Sequence, residues 1–261
     1  MEINLINKTA WVFGGSKGIG RAIAIELAKA GANILLIARN KSSLQGVMEE
    51  LCVKLDQEHD YISVDMLKTP NLIRVLKNYH NLNSVDILIN NSGGPRGGLA
   101  HLADPEDYIS VFRQHLLSAQ TATQITLPIM KQKGFGRIIN IISTSVKQPI
   151  DGLGVSNTVR GAVANWSKTI ASEVGCFGVT VNNILPGATK TSRLKELIEK
   201  KASEKNLSED QVVQKMKNTI PVGRFADPKE LGYLVVFLCS DYAGYINGVN
   251  VPIDGGRTKS L

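Results

Sequence analysis

The stretch that most constrains the fold is Phe13-Gly14-Gly15-Ser16-Lys17-Gly18-Ile19-Gly20. It follows an apolar run, Thr9 to Phe13, that predicts a buried strand. It opens a helical pattern from Ile19 to Lys29, with Ile19, Ile23, Ile25, Leu27 and Ala28 as the apolar set. A glycine turn between a strand and a helix start is suited to hold phosphate. The first N–H groups of the helix have no partner within it, and the aligned peptide dipoles favour an anion there. Glycines also let the backbone take positive φ and approach a pyrophosphate closely. The spacing, Gly-x3-Gly-x-Gly, differs from the Gly-x-Gly-x-x-Gly of most dinucleotide folds, and no Gly-Lys-Ser/Thr follows to make a Walker A loop. An ordinary tight strand–helix connection can look the same, so the rest of the chain has to decide.

Apolar strand-like runs alternate with helical patterns throughout. Strands are expected at Asn33 to Ala38, Asp60 to Val64, Val85 to Asn90, Gly136 to Ile142, Val179 to Leu185 and near Val249 to Ile253. Between them lie a charged amphipathic helix at about Ser42 to Leu55 and a helix N-capped by Thr69 with Pro70 behind it. A long helix starts at Asp104-Pro105-Glu106-Asp107 and carries Pro128, placed to kink it. A further helix runs from about Val155 to Val174, and a late one opens with the capping-box pattern Asp227-Pro228-Lys229-Glu230. Runs that are apolar on both faces predict a parallel sheet covered by helices on both sides. Right-handed crossovers then give an α/β, single-domain, doubly wound Rossmann fold with a seven-stranded, mostly parallel sheet over residues 1–261. One charge-rich interruption, Lys190 to Lys217, reads as a helical hairpin with Leu194, Leu197, Ile198, Leu207, Val212, Val213 and Met216 as apolar positions. It is either a solvated hairpin or a lid over the substrate, since it leaves the C-terminal edge of the sheet.

Composition excludes several classes. No apolar run reaches the ~18 residues of a membrane span, and no basic region followed by an apolar stretch marks a signal peptide at the start. A cytoplasmic protein is therefore expected. Cys52, Cys176 and Cys239 are far apart and odd in number. They read as reduced core residues in helical patterns. No His/Cys spacing predicts a metal site. The net charge of +7 raises nucleic acid as a partner, but the cations are scattered and aromatics are only 5%, so no stacking surface forms. A basic enzyme that handles anions is the better reading.

The chain resembles the short-chain dehydrogenase/reductase family along nearly its whole length. Gly14, Gly18 and Gly20 match the glycine motif, with Phe13 in place of the usual threonine. Asp65 matches the acidic residue that meets the adenine, and Asn90-Asn91-Ser92-Gly93 resembles Asn-Asn-Ala-Gly. Pro186-Gly187-Ala188-Thr189-Lys190-Thr191 matches the motif that meets the nicotinamide and pyrophosphate, and Ile253-Asp254-Gly255-Gly256 matches the C-terminal Asp-Gly-Gly. The resemblance also implies cofactor contacts at Ser16, Lys17, Ile19, Met66, Asn91, Ser92, Gly93, Gly187 and Thr189, and a homotetramer packed through the long helices and the last strand. An NAD enzyme carries Asp or Glu at the end of the second strand for the ribose hydroxyls. Here Ala38 and Arg39 stand there, with Lys17 in the glycine loop. Two cations and no carboxylate suit a 2′-phosphate, so NADP(H) is the expected cofactor.

The family's chemistry is where the chain departs. Ser143 fits the serine that polarises the substrate carbonyl. Thirteen residues on, where the family has tyrosine, stands Ser156, and four further, where it has lysine, stands Arg160. His115 occupies the place of the relay asparagine. No tyrosine occurs from Ile109 to Gly232. Arginine can fork onto ribose hydroxyls but does not give up its proton. The expected replacement proton donors are His115, titrating near neutrality, and Lys147 on the loop after the fifth strand. Asn90-Asn91-Ser92-Gly93-Gly94-Pro95, Ser156-Asn157-x-x-Arg160 and the end Asp254-Gly255-Gly256-x-x-x-Ser260-Leu261 resemble a divergent branch described as 3-oxoacyl-acyl-carrier-protein reductase-like. Two functions remain open at this point. One is an NADPH-dependent reductase of a ketone or aldehyde, such as a carrier-bound acyl thioester. The other is a non-catalytic NADP(H)-binding sensor or scaffold.

Overall fold

The computed structural model describes residues 2–79 and 85–260. Met1, residues 80–84 and Leu261, the last residue of the C-terminal motif, lie outside the described residues. The strands are β1 (Thr9–Phe13), β2 (Asn33–Ala38), β3 (Asp60–Ser63), β4 (Val85–Asn90), β5 (Gly136–Ile141), β6 (Val179–Pro186) and β7 (Asn250–Ile253). They form one seven-stranded sheet in the order β3-β2-β1-β4-β5-β6-β7. Every neighbouring pair is parallel. The order reverses between β1 and β4, which opens a crevice at the C-terminal strand ends, where doubly wound sheets bind ligands.

Alternate residues of each strand feed two cores, as the period of two requires. On one face Ala10, Val12, Ile34, Leu36, Ile87 and Ile89 pack under helices α1 (Gly18–Lys29), α2 (Lys41–Met48) and α9 (Pro228–Cys239). On the other face Trp11, Phe13, Leu35, Ile37, Leu88 and Ile138 pack under α3 (Thr69–Lys77), α5 (Ser118–Lys133) and α6 (Gly154–Val174). Helices α1 and α9 lie close together at Gly232, where a Cβ would come within 2.7 Å of Glu26 Cγ. The capping box of α9 forms as the sequence predicts: Asp227 accepts from the first-turn backbone while Glu230 accepts from Asp227 N–H.

Four local expectations are corrected. Helix α2 stops at Met48 and does not run on to Leu55. Val53 and Leu55 are exposed, and Gln57 enters the core to donate to Ala28 O and accept from Leu55 N–H, which draws the chain out of the helix. Thr69 is the first residue of α3 and not its cap. A turn at Asp65, whose side chain accepts from Leu67 N–H and whose carbonyl accepts from Lys68 N–H, starts the helix one residue early. The long helix is built from α4 (Pro105–Phe112), a π-helical turn at Arg113–Leu117 and α5. Its irregularity therefore lies at the π turn, while α5 runs through Pro128. Finally, Cys239 is buried in the core as expected, but Cys52 is half-buried outside any helix and Cys176 is exposed. All three are free thiols.

Candidate active site and cofactor cleft

The cleft begins at the glycine loop. Gly14 and Gly18 both take left-handed backbone, with φ of 61° and 57°. A Cβ on Gly14 would meet Asn91 Nδ2 at 2.6 Å, and one on Gly20 would meet the Gly14 carbonyl at 2.3 Å. These glycines thus serve the close approach of α1 to the end of β4. The Asn91 side chain donates to the carbonyls of Phe13 and Gly14, both at 3.3 Å, so it holds the loop's shape. Lys17 caps α1 in extended backbone without a side-chain hydrogen bond, and the first turn of α1 carries no acidic residue. The helix N-terminus is left able to take an anion. Lys17 and Arg39 are both exposed at this end of the sheet, and Ser16 and Ile19 are half-buried beside them. Past β3, Asp65 is spent on its own turn and Met66 is buried. The donor set fits a dinucleotide carrying an extra phosphate: bare helix N–H groups, two cations and no carboxylate at the end of β2.

The far wall comes from β6. Gly187 N–H donates to Ile253 O, and a Cβ there would sit 2.7 Å from Asp254 Cα. Thr189 is buried and bridges to Ala226, while Thr191 caps α7 (Ser192–Lys205) by accepting from Leu194 N–H. The Thr191 methyl lies against Gly18, 3.3 Å from where a Cβ would be. Helices α7 and α8 (Glu209–Lys217) form the expected hairpin with a small core of its own, Leu194, Ile198, Ala202, Val212, Ile220 and Phe225. Of the apolar positions read from the sequence, Leu207, Val213 and Met216 pack against that core. Arg193 was missed. Its Nη2 donates to Pro95 O at 2.6 Å and ties the start of the hairpin to the loop after β4, beside Gly93. A second tie joins that loop to the start of α6, where Gly98 pairs with Leu153.

The floor carries the reactive groups. Ser143 follows β5 in extended backbone, and its Oγ accepts from Ser145 N–H at 3.1 Å, which leaves its own proton to donate. Lys147 is exposed at the end of the same short turn. Ser156 and Arg160 are one turn apart on α6, and both are buried. Arg160 Nη1 donates to Ile141 O at 2.8 Å, and burial pulls its pKa down to about 10, so it stays a cation at neutral pH. His115 lies in the π turn, buried, with Nδ1 2.5 Å from Ser92 Oγ. Burial first, then the nearby Arg160 charge, hold its pKa well below the usual histidine value. This corrects the expectation that His115 titrates near neutrality: burial favours the neutral ring. Tyr108, the phenol nearest in sequence, packs against Val155 and Val159 and donates to Ala100 O. Among the described residues no group of three or more His, Cys, Asp or Glu could hold a metal ion.

The sequence reading also missed a row of asparagines under the floor. Asn90, Asn140, Asn183 and Asn250 stand in register on β4, β5, β6 and β7. Each donates to the next: Asn90 to Asn140 at 2.9 Å, Asn140 to Asn183 at 2.9 Å and Asn183 to Asn250 at 2.8 Å. The signal was present, since the runs of β4, β5, β6 and β7 each carry an asparagine. It becomes legible only when the register is known.

Comparison with known proteins agrees with this arrangement. A family model described as enoyl-(acyl carrier protein) reductase matches residues 14–258. The chain is 32% identical over 259 residues to the 3-oxoacyl-[acyl-carrier-protein] reductase FabG of Aquifex aeolicus, covering 98% of this chain and 99% of that protein. It is 29% identical over 256 residues to the NADPH-dependent reductase BacG of Bacillus subtilis, covering 97% and 99%. Among solved structures, L-sorbose reductase from Gluconobacter frateurii, complexed with NADPH and L-sorbose, superposes with a TM-score of 0.92 at 29% identity over 100% of both chains. The match spans the glycine loop, the strand-end motifs and the hairpin together, and the chain belongs to the short-chain dehydrogenase/reductase family.

Proposed function

We propose that the protein is an NADPH-dependent oxidoreductase that reduces a ketone or aldehyde carbonyl. The observation that carries this reading is Ser143, fixed by Ser145 N–H with its hydroxyl proton free, at the same C-terminal end of the sheet as the anion-receptive glycine loop. The names of the relatives support reduction, and they favour an enzyme over a non-catalytic sensor. Bound NADPH would supply the hydride. The 2′-phosphate falls to Lys17 and Arg39, and the pyrophosphate to the N-terminus of α1 with Gly14, Ser16, Gly18 and Ile19. Asp65 and Met66 flank the adenine, and Asn91, Ser92 and Gly93 form the ribose wall. Arg160 orients the nicotinamide ribose, and Pro186, Gly187, Thr189 and Thr191 close the far side.

Ser143 donates to the carbonyl oxygen and stabilises the charge that develops on it. His115, neutral and bonded to Ser92, does not deliver the proton. That role falls to Lys147, on the same turn as Ser143 and open to solvent. The α7–α8 hairpin, tied to the β4 loop by Arg193, acts as the lid. A basic surface and a helical lid suit an acyl thioester on CoA or on an acidic carrier protein. We read the chain as one domain and as a cytoplasmic homotetramer. The three free thiols and the exposed Ile109, Phe112 and Leu117 of the long helical stretch support this. The test is turnover: NADPH oxidation followed by absorbance with a carbonyl panel that includes acetoacetyl-CoA. Stoichiometric binding of NADPH without turnover on any member would return the sensor reading.

A further inference from the structure

Strands β4 to β7 end side by side at the cleft, and the segments that leave them are tied to one another in a collar. The loop after β4 meets the hairpin where Arg193 Nη2 donates to Pro95 O at 2.6 Å. The same loop meets the segment after β5, where Gly98 N–H donates to Gly152 O at 2.8 Å and Gly154 N–H donates to Gly98 O at 3.0 Å. The chain just past the hairpin meets the tail after β7, since Val222 N–H donates to Gly255 O at 3.2 Å. Gly255 takes left-handed backbone, and a Cβ there would crowd Ile220 Cγ2 at 2.7 Å, so a glycine serves this close approach. Asp254 then turns the tail: its carboxylate accepts from Gly256 N–H at 3.0 Å and from Thr258 N–H at 2.7 Å. The turned tail reaches the segment after β5, where Lys259 N–H donates to Gln148 Oε1 at 3.4 Å and Ser260 Oγ donates to Lys147 O at 3.2 Å. That contact closes the collar.

We propose that the tail, residues 254–260, is a strap that holds the turn carrying Ser143 and Lys147, with Gln148 and Ser260 as the positioning residues that fasten it. The turn needs such a hold. Thr144–Val146 is a single short 3-10 turn, and Lys147, Gln148 and Pro149 after it are exposed. So short a turn makes few hydrogen bonds of its own, and a segment with little buried surface opens easily. Farther on, the segment is pinned to α6, because Asn157 accepts from Ile150 N–H at 3.3 Å and donates to Ile150 O at 2.9 Å. Between that pin and the end of β5, the strap supplies the bonds at Lys147 and Gln148. They go to a backbone carbonyl and to a side chain outside the chemistry. They therefore fix where the turn lies and leave proton transfer to Ser143 and Lys147. Of the ties in the collar, this one is made by exposed side chains, so it is the one that water competes for most. The inference rests on the proposed reductase reading for what the turn does; the strap itself does not.

Hydrogen exchange tests the strap without cofactor or substrate. In the full chain, Gln148→Ala with Ser260→Ala should speed backbone exchange over residues 144–151 and 255–260 about tenfold, the combined worth of two exposed hydrogen bonds, and leave residues 14–20 as they are. Both side chains are exposed, so the fold is not at stake. Exchange at the wild-type rate in either segment overturns the strap. A rise that extends to residues 14–20 is general loosening and overturns it as well. Turnover reads the positioning role, on whichever carbonyl of the panel the wild type reduces. The double variant should lower kcat about five- to tenfold, while the dissociation constant for NADPH stays within about twofold. Gln148→Glu keeps an acceptor for Lys259 N–H and should restore most of the kcat lost in Gln148→Ala. An unchanged kcat in the double variant overturns the positioning role, and so does a loss in Gln148→Glu equal to that in Gln148→Ala. A wild type that binds NADPH and reduces nothing overturns the reductase reading, and hydrogen exchange still decides the strap.

Discussion

Single side chains set what the site does at each pH. His115 is depressed by burial, with Arg160 adding to it, so below the ordinary histidine pKa of about 6.5 the unfolded chain binds a proton that the folded chain refuses. Stability is then at its full value above about pH 6.5 and falls as the pH drops below it. The thermal midpoint should decline more steeply from pH 7 towards pH 5.5 in wild type than in His115→Asn, and equal slopes would show that the ring is not held neutral. The same burial separates His115 from proton supply. If Lys147 is the donor, log kcat/KM falls with rising pH through one ionisation, and that step disappears in Lys147→Met but persists in His115→Asn. A step lost in His115→Asn would restore histidine as the acid. Ser143→Ala should lower kcat by about 100-fold or more, as loss of a donor aimed at a developing oxyanion does. A change of less than about threefold, within the loss of one weak contact, would remove Ser143 from the chemistry.

Elements carry these residues to one place, and the asparagine row shows how firmly. Asn140 donates to Asn183 and to Ser167 Oγ and accepts from Asn90, at 2.9, 3.1 and 2.9 Å. Asn140→Leu would strand polar atoms on two strands and on α6, around a residue only 1% exposed. The expected loss is about 2–4 kcal/mol, or roughly 5–10 °C in the thermal midpoint. Asn140→Asp, which keeps the acceptor but not the donor, should lie between leucine and wild type if the row is an interaction chain, and a leucine variant as stable as wild type would show that it is not. At the rim, the hairpin of α7 and α8 is held by its own core and by the Arg193 bond to Pro95 O. Replacing residues 195–218 by a short linker should spare NADPH binding and abolish turnover. Turnover that survives unchanged would make the hairpin surface decoration. The hairpin's existence was readable from its apolar spacing, but its tether was not, because nothing local to Arg193 names a carbonyl on a distant loop.

At the scale of the whole molecule, the strands and their doubly wound parallel arrangement follow from runs that are apolar on both faces, and these were legible residue by residue; their order came only from the structure. What escaped was the outcome of competition between neighbours. Gln57 ended α2 early by claiming the Ala28 carbonyl. A π turn at His115 took up the irregularity expected of Pro128. His115 lost its proton to a buried setting that no spacing rule reports. Cofactor preference belongs at this scale too, because it depends on where the scattered charge of a chain with net +7 gathers. Lys17 and Arg39 are exposed at the strand ends with no carboxylate at the end of β2 to repel a phosphate. NADPH should therefore bind at least about tenfold tighter than NADH, about 1.4 kcal/mol. Both cations face water, so their share of that preference is screened by salt. The ratio of the two dissociation constants should shrink as ionic strength rises from about 0.05 to 0.5 M, where the Debye length falls below 10 Å. Arg39→Ala and Lys17→Ala should each reduce the ratio at low salt, and the double change should bring it close to one. Equal affinities in wild type would sink the assignment of the 2′-phosphate to this pair. A preference that survives both substitutions would place the phosphate on other groups of the same rim.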